Sequence, residues 1–308
     1  MLRPDVEQTI GLASASLARS RGDDRSIDER CSELHLESLG ISEQEKASLV
    51  DLYLSGKQYI DPVVSYLVGA TGGHLYKDQI GQLSSYPIPE LRVELRSAEK
   101  NHFLDIGCSW GRWSIAAARK GFSVVGIDPS LGAVLAARRV ANQLGLEVRF
   151  ICGDARYLPF RKNIFDQVFS YSVLQHLAKA DVRNCLLQIR CVLKPRSESL
   201  IQMPNKFGLR CLQHQIRRRF RQARDFEVRY WTPTELLAEF NRCIGKSDIS
   251  VDCYFGLGLQ AADMDLMNKP KKILIKVSEF LRLHGENLPW LKTFADSVYV
   301  QSTISDEA

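Results

Sequence analysis

FLDIGCSWGRWS, residues 103–114, joins a short apolar run to a glycine-bearing bend and then to residues of helical character. A strand, a tight turn and a helix in that order let the backbone approach a ligand closely, and the first helical turn adds N–H groups without intrahelical partners. The register excludes a dinucleotide turn, which reads G-x-G-x-x-G. Here the glycines stand at 107 and 111 with Ser109 between them. Asp105, the last polar residue before the bend, would repel a pyrophosphate and attract an ammonium group.

Outward from this stretch, residues 101–204 alternate short apolar runs with helical periodicity, the pattern of βαβ units and a mostly parallel sheet. The expected strands are HFLDI (102–106), FSVVGI (122–127), EVRFI (147–151), FDQVFSY (165–171) and SLIQM (199–203). Val134, Ala137, Ala141 and Leu144 share one helical face. Val182, Leu186, Ile189 and Leu193 share another, with Lys194 and Pro195 closing that helix. Beyond the fifth strand, KFGLRCLQHQIRRRF (206–220) reads as an inserted basic helix, and TPTELLAEFNRCIG (232–245) as a helix capped by Thr232 with Pro233 at its first position. SDISVDCYF (247–255) reads as a strand and residues 267–289 as a second insertion. SVYVQSTI (297–304) reads as a last, antiparallel strand.

Residues 1–100 lack this alternation. Apolar positions in 41–56 and 61–70 recur at helical spacing, while TGGH (71–74) and SSYPIPE (84–90) signal turns. The expectation is an N-terminal helical extension or cap over 1–100, followed by one domain over 101–308 with insertions near 205–230 and 256–292.

The 308 residues, 45% hydrophobic and 25% charged with four tryptophans, suffice for a substantial core and exclude a disordered chain. Eight cysteines are scattered without a C-x-x-C pair, so neither a metal cluster nor a disulfide framework is expected. The first twenty residues have no unbroken apolar stretch and no run is long enough to cross a bilayer, which leads us to expect a cytoplasmic protein. A net charge of +5 is mild, and its one local concentration is QIRRRFRQARDFEVR, residues 215–229. That basic helix is either a solvated face or a phosphate grip.

Asp128 ends the second strand in VVGIDPS, a position from which a carboxylate can accept from both hydroxyls of a ribose. Together DIGCSWG, GIDPS, GDARYLPF, FDQVFSYSVLQHL and VLKPRSESLIQ resemble, in order and spacing, the class I S-adenosylmethionine-dependent methyltransferases, in the branch of the ubiquinone and menaquinone biosynthesis enzymes. The likeness covers roughly residues 101–204. It implies a doubly wound α/β fold, a mostly parallel seven-stranded sheet of the Rossmann-like methyltransferase type, with S-adenosylmethionine as cofactor. It further implies that Asp105 faces the methionine amino end, that the backbone of Gly107, Cys108, Ser109 and Gly111 wraps methionine and ribose, and that Asp128 holds the ribose. Asp154 would accept from the adenine amino group, the Ala155 N–H would reach the ring, and Ser170 would line the methionine pocket. The family has glycine where this chain has Ser109.

Trp110 and Trp113 either offer an aromatic face to a sulfonium or pack the helix. Methyl transfer needs an aligned nucleophile, and a hydroxyl or carbon acid must also lose a proton. His176, just after the fourth strand, is the candidate base, whereas His35, His74, His102, His214 and His284 have no supporting context. No Asn-Pro-Pro-Tyr tetrapeptide or Pro-Cys pair follows the fourth strand, which argues against a nucleic-acid acceptor. Tyr76, Lys77, Tyr86 and the first insertion are expected to form a lid over the acceptor, and Tyr230 and Trp231 either join that lid or pack as ordinary aromatic residues. The function expected is methyl transfer to a small or lipid-like metabolite at oxygen, with an RNA or protein methyltransferase and a silent cofactor-binding scaffold as rivals. Nothing in the sequence fixes the oligomeric state.

Overall fold

The computed structural model describes residues 51–57, 59–70, 83–95, 101–224, 226–256, 260–285 and 289–304. Its strands are β1 (His102–Ile106), β2 (Ser123–Asp128), β3 (Val148–Cys152), β4 (Phe165–Ser170), β5 (Leu193–Pro204), β6 (Lys246–Cys253) and β7 (Ser297–Thr303). The helices used below are α1 (Pro62–Ala70), α2 (Arg112–Arg119), α3 (Leu131–Gln143), α4 (Lys179–Val192), α5 (Leu209–Arg217), α6 (Pro233–Cys243), α7 (Lys269–His284) and α8 (Pro289–Phe294).

The strands form one sheet in the order β3-β2-β1-β4-β5-β7-β6. β1 to β5 pair in parallel, and β7 lies antiparallel between β5 and β6. The winding reverses between β1 and β4, and a crevice opens outside the carboxyl ends of strands at such a switch point. Alternation along β1 sends Leu104 and Ile106 to one face, where Leu186 of α4 and Phe240 of α6 complete a large core. It sends Phe103 to the other face, against Trp113 of α2 and Phe169. Asp105 shares that second face and so meets α2.

β5 is longer than its apolar stretch suggested. α4 ends at Val192, and Leu193 already pairs with Phe165 of β4, so Lys194 and Pro195 belong to the strand. The proline ring disfavours helical geometry at the preceding residue, which turns the chain extended. A second difference concerns the basic stretch. It is not a helix over 215–229: α5 stops at Arg217, and Arg219 and Phe220 take φ of 51° and 53°. Arg218 Nη1 donates to the Val228 carbonyl at 2.9 Å and Arg221 pairs with Glu227, closing a loop on itself. By contrast, α6 begins as expected. Thr232 Oγ1 accepts from the Glu235 N–H at 3.1 Å and Glu235 Oε2 accepts from the Thr232 N–H at 2.8 Å, a reciprocal cap.

The described part of the N-terminal hundred residues is built into the same core. Ile60 and Val64 pack with Trp110 and Ile115. The buried Asp61 carboxylate takes Arg139 Nε at 2.5 Å, and the Tyr86 hydroxyl accepts from the Asp61 N–H and donates to Gln143 Oε1 at 2.6 Å. Residues 83–95 run without regular secondary structure, so the extension is helical only in part. Cys31, His35, His74, Tyr76 and Lys77 lie outside the described residues. Among the described residues no helix is long and apolar enough to cross a membrane, and no group of three or more His, Cys, Asp and Glu could hold a metal ion.

Candidate functional site

The bend after β1 is tied to β2: the N–H groups of Gly107 and Cys108 both donate to the Ile127 carbonyl, at 2.8 and 3.1 Å, and Gly111 N–H donates back to Cys108 O at 2.8 Å. Gly107 and Gly111 have φ of 72° and 84°, the left-handed region that favours glycine. A Cβ on Gly107 would lie 2.2 Å from Val173 Cγ2, and one on Gly111 2.8 Å from Phe150 Cζ. The backbone therefore lies flush between the turn after β4 and the side chains of β3. Ser109 is also left-handed, at φ 48°, and its N–H donates to Asp128 Oδ2 at 2.8 Å. That charge-assisted bond, absent from a generic turn, offsets the strain of a Cβ there.

Three carboxylates stand at this end of the sheet. Asp105 is almost wholly buried, and Oδ2 accepts from Ser114 Oγ at 2.6 Å. Burial raises its pKa from 3.8 to about 7, against the lowering effect of the Ser114 bond and with a further push from Asp128. Asp128 spends one lone pair of each oxygen on backbone, Oδ2 on Ser109 and Oδ1 on the Ser130 N–H at 2.9 Å. These two bonds fix the carboxylate at the tip of β2. Asp154 is held bidentately by Arg156, with Nη2 to Oδ2 at 2.6 Å and Nε to Oδ1 at 3.0 Å, and its Oδ1 also takes the Arg156 N–H. Ala155 follows in the same turn, half-buried against the larger core. Cys108 is buried with its thiol pKa pushed well up, by burial first and then by Asp128 and Asp105, so it offers no thiolate.

Ser170 is a strut: its buried hydroxyl donates to the Ile106 carbonyl at 2.9 Å, locking β4 to the end of β1. His176 closes the 3-10 turn Leu174–His176, in the loop whose Val173 touches the glycine bend. Its Nδ1 lies 2.6 Å from the Phe226 carbonyl, which can only accept, so Nδ1 carries the proton, and the Nε2 lone pair accepts from the Gln175 side-chain amide at 3.2 Å. The Phe226 ring stacks on the imidazole at 4.0 Å between centroids, and Arg229 Nη1 donates to the His176 carbonyl at 2.6 Å. Burial lowers the His176 pKa below 6.5, the Phe226 carbonyl opposes this, and Arg229 adds to it. The imidazole is neutral at pH 7.

Among the expected lid residues, Tyr86 is an anchor for the N-terminal segment, and Trp231 is buried in the large core with Lys179 Nζ 4.5 Å above its ring. Tyr230, under the Arg218 guanidinium at 5.1 Å, belongs to the loop that carries Phe226 over His176. Trp113 packs against Phe169 and Tyr171 at 5.0 and 4.8 Å, and Trp110 is fully buried beside Tyr86, so both tryptophans are packing residues. Arg112 was not among the sequence candidates. First residue of α2, directly after Gly111, it holds a buried guanidinium over the Trp113 ring at 5.5 Å, with Nε and Nη2 lacking any partner. Buried donors left unpaired are costly and call for an anionic guest. A zwitterionic amino acid joined to a nucleoside fits this set: carboxylates for ammonium and ribose, a cation for the carboxylate, and a bend without side chains.

Residues 103–196 match the family model described as a methyltransferase domain. A ubiquinone biosynthesis O-methyltransferase of Azorhizobium caulinodans is 36% identical over 84 residues, 27% of this chain and 33% of that protein. The protein of the same name from Agrobacterium fabrum is 34% identical over 97 residues, 31% of this chain and 39% of its own. The chain thus spans well under half the length of these relatives. A solved S-adenosylmethionine-dependent methyltransferase of Methanosarcina mazei superimposes with a TM-score of 0.47 at 20% identity, covering 69% of this chain and 99% of that one. The matched segment carries the glycine bend and β2 to β4, so the part of the chain that builds the crevice is the part that is similar to a methyltransferase domain.

Proposed function

We propose that the chain transfers a methyl group from S-adenosylmethionine to an oxygen atom of a small or lipid-like acceptor. The observation that carries this reading is the His176 imidazole, neutral, backed at Nδ1 by the Phe226 carbonyl, and set in the turn that touches the glycine bend. The cofactor would supply an electrophilic methyl on sulfur, so the protein's task is alignment and removal of one proton. Asp128 would accept from the ribose hydroxyls, Asp105 would face the ammonium group and Arg112 the carboxylate. The backbone at Gly107, Cys108, Ser109 and Gly111 would line the methionine and ribose, with Ser170 bracing the floor. Asp154, oriented by Arg156, and the Ala155 N–H would meet the adenine. His176 Nε2, exchanging the Gln175 amide for the acceptor, would take the acceptor's hydroxyl proton. Oxygen and a lipid-like acceptor are supported by the relatives, which are named as O-methyltransferases of ubiquinone biosynthesis.

The test is S-adenosylhomocysteine formation with a panel of phenolic and aliphatic hydroxyl acceptors. His176→Ala should lower turnover by about 10²- to 10⁴-fold, the range for a lost general base, with cofactor affinity unchanged. Full turnover in the variant would reject the base. Cofactor binding without turnover on any acceptor would reject transfer in favour of a silent binding module.

A further inference from the structure

The first insertion carries charge and apolar surface that the methyl-transfer reading does not use. Leu209, Leu212 and Ile216, spaced by three and four, share one face of α5, and with Phe220 they are between 40% and 65% exposed. Residues 206–221 contain six Lys and Arg and no Asp or Glu, more positive charge than the whole chain's excess of +5. Arg217, Arg218, Arg219 and Arg221 line, with His214 and Tyr230, a cleft of about 640 Å³ beside that face. Arg221 is neutralised by Glu227, but Arg217 and Arg219 have no ion pair among the described residues, and Arg218 Nε is buried without a partner.

We propose that this insertion is a membrane-surface element, with Leu209, Leu212, Ile216 and Phe220 entering the boundary between headgroups and acyl chains while the arginine cleft receives the phosphates of anionic phospholipids. A helix with one apolar face flanked by arginines is the physical form of an interfacial anchor. A cluster of this size, in which the lining carboxylate of Glu227 is already held by Arg221, would repel a second copy of itself, and phosphate recognition on a nucleic acid has no use for an exposed aliphatic stripe. The second insertion repeats the pattern: Ile273, Val277 and Phe280 of α7, spaced by four and three, are exposed among Lys269, Lys272 and Lys276.

Cosedimentation of the full chain with vesicles tests the proposal without reference to turnover. The chain should bind phosphatidylcholine vesicles containing about one-third phosphatidylglycerol, fail to bind pure phosphatidylcholine, and release as salt rises. Arg217→Ala with Arg219→Ala should weaken binding about 30-fold, two charges at the strength typical of a membrane surface. Ile216→Ser with Phe220→Ser, which leaves the charge intact, should weaken it at least about tenfold. S-adenosylmethionine binding by calorimetry certifies that each variant is folded. No binding to anionic vesicles, or wild-type binding by the apolar variant, would overturn the proposal. So would release from vesicles by single-stranded RNA at matched phosphate, or self-association that vesicles do not compete with.

Discussion

Replacing Asp105 by Asn should remove a pH dependence of stability that the wild-type chain carries at the heart of its cofactor site. Asp105 is 1% exposed and its pKa stands at about 7 against 3.8 when solvated. The folded chain thus binds a proton more tightly than the unfolded one. This contribution to stability is fully present below about pH 4, declines as pH rises and is lost once pH passes about 7. A shift of this size is worth roughly 4 kcal/mol over the full range, of which about 2 to 3 kcal/mol falls between pH 5 and pH 8. Asparagine keeps the shape and an oxygen for the Ser114 hydroxyl but cannot ionise. Urea unfolding of both proteins at several pH values, followed by tryptophan fluorescence, should therefore show the variant gaining about 2 to 3 kcal/mol on wild type between those limits. A pH-independent difference would refute the assignment of a buried, reluctantly ionised carboxylate. The same substitution should weaken S-adenosylmethionine, because the unfavourable charge is what an ammonium group would relieve.

Gly107→Ala should destabilise the fold by roughly 2 to 4 kcal/mol in denaturant unfolding, combining a left-handed alanine with overlap against Val173. Adding Val173→Ala, which deletes the two nearest atoms, should recover part of that loss. Thr232→Ala should cost about 1 kcal/mol by opening the reciprocal cap of α6, again read from unfolding, without altering cofactor affinity. For His176, whose pKa is lowered, turnover should be flat above pH 7 and fall on acidification only below the ordinary histidine range; a decline centred above pH 7 in the pH–rate profile would contradict a neutral base.

What was legible in the sequence was whatever local chemistry decides. The strand, bend and helix of 102–119 and the Thr232 cap are written in adjacent residues, and periodicity marks which faces of α3 and α4 are buried. The last strand follows from its β-branched alternation, whereas its antiparallel direction is set by the pairing with β5 and β6. The end of α5 was not legible, because it is fixed by Arg218 reaching Val228 ten residues away and by Arg221 meeting Glu227. The partner that sets the His176 tautomer lies fifty residues downstream at Phe226 and leaves no local pattern. Trp231 could be packing or lid until the core closed over it. Arg112 had a signal in its place directly after Gly111, but its unpartnered burial is a tertiary fact.

The central claim is that carboxylates at Asp105 and Asp128 and the bend between them bind a sulfonium nucleoside. Isothermal calorimetry of the folded chain with S-adenosylmethionine and S-adenosylhomocysteine, beside Asp128→Ala, tests it most directly. Both ligands should bind, and the variant should lose about 2 to 3 kcal/mol, the scale of charge-assisted hydrogen bonds. Heat from NADH with none from either sulfur compound, or unchanged affinity in a folded Asp128→Ala protein, would contradict the account.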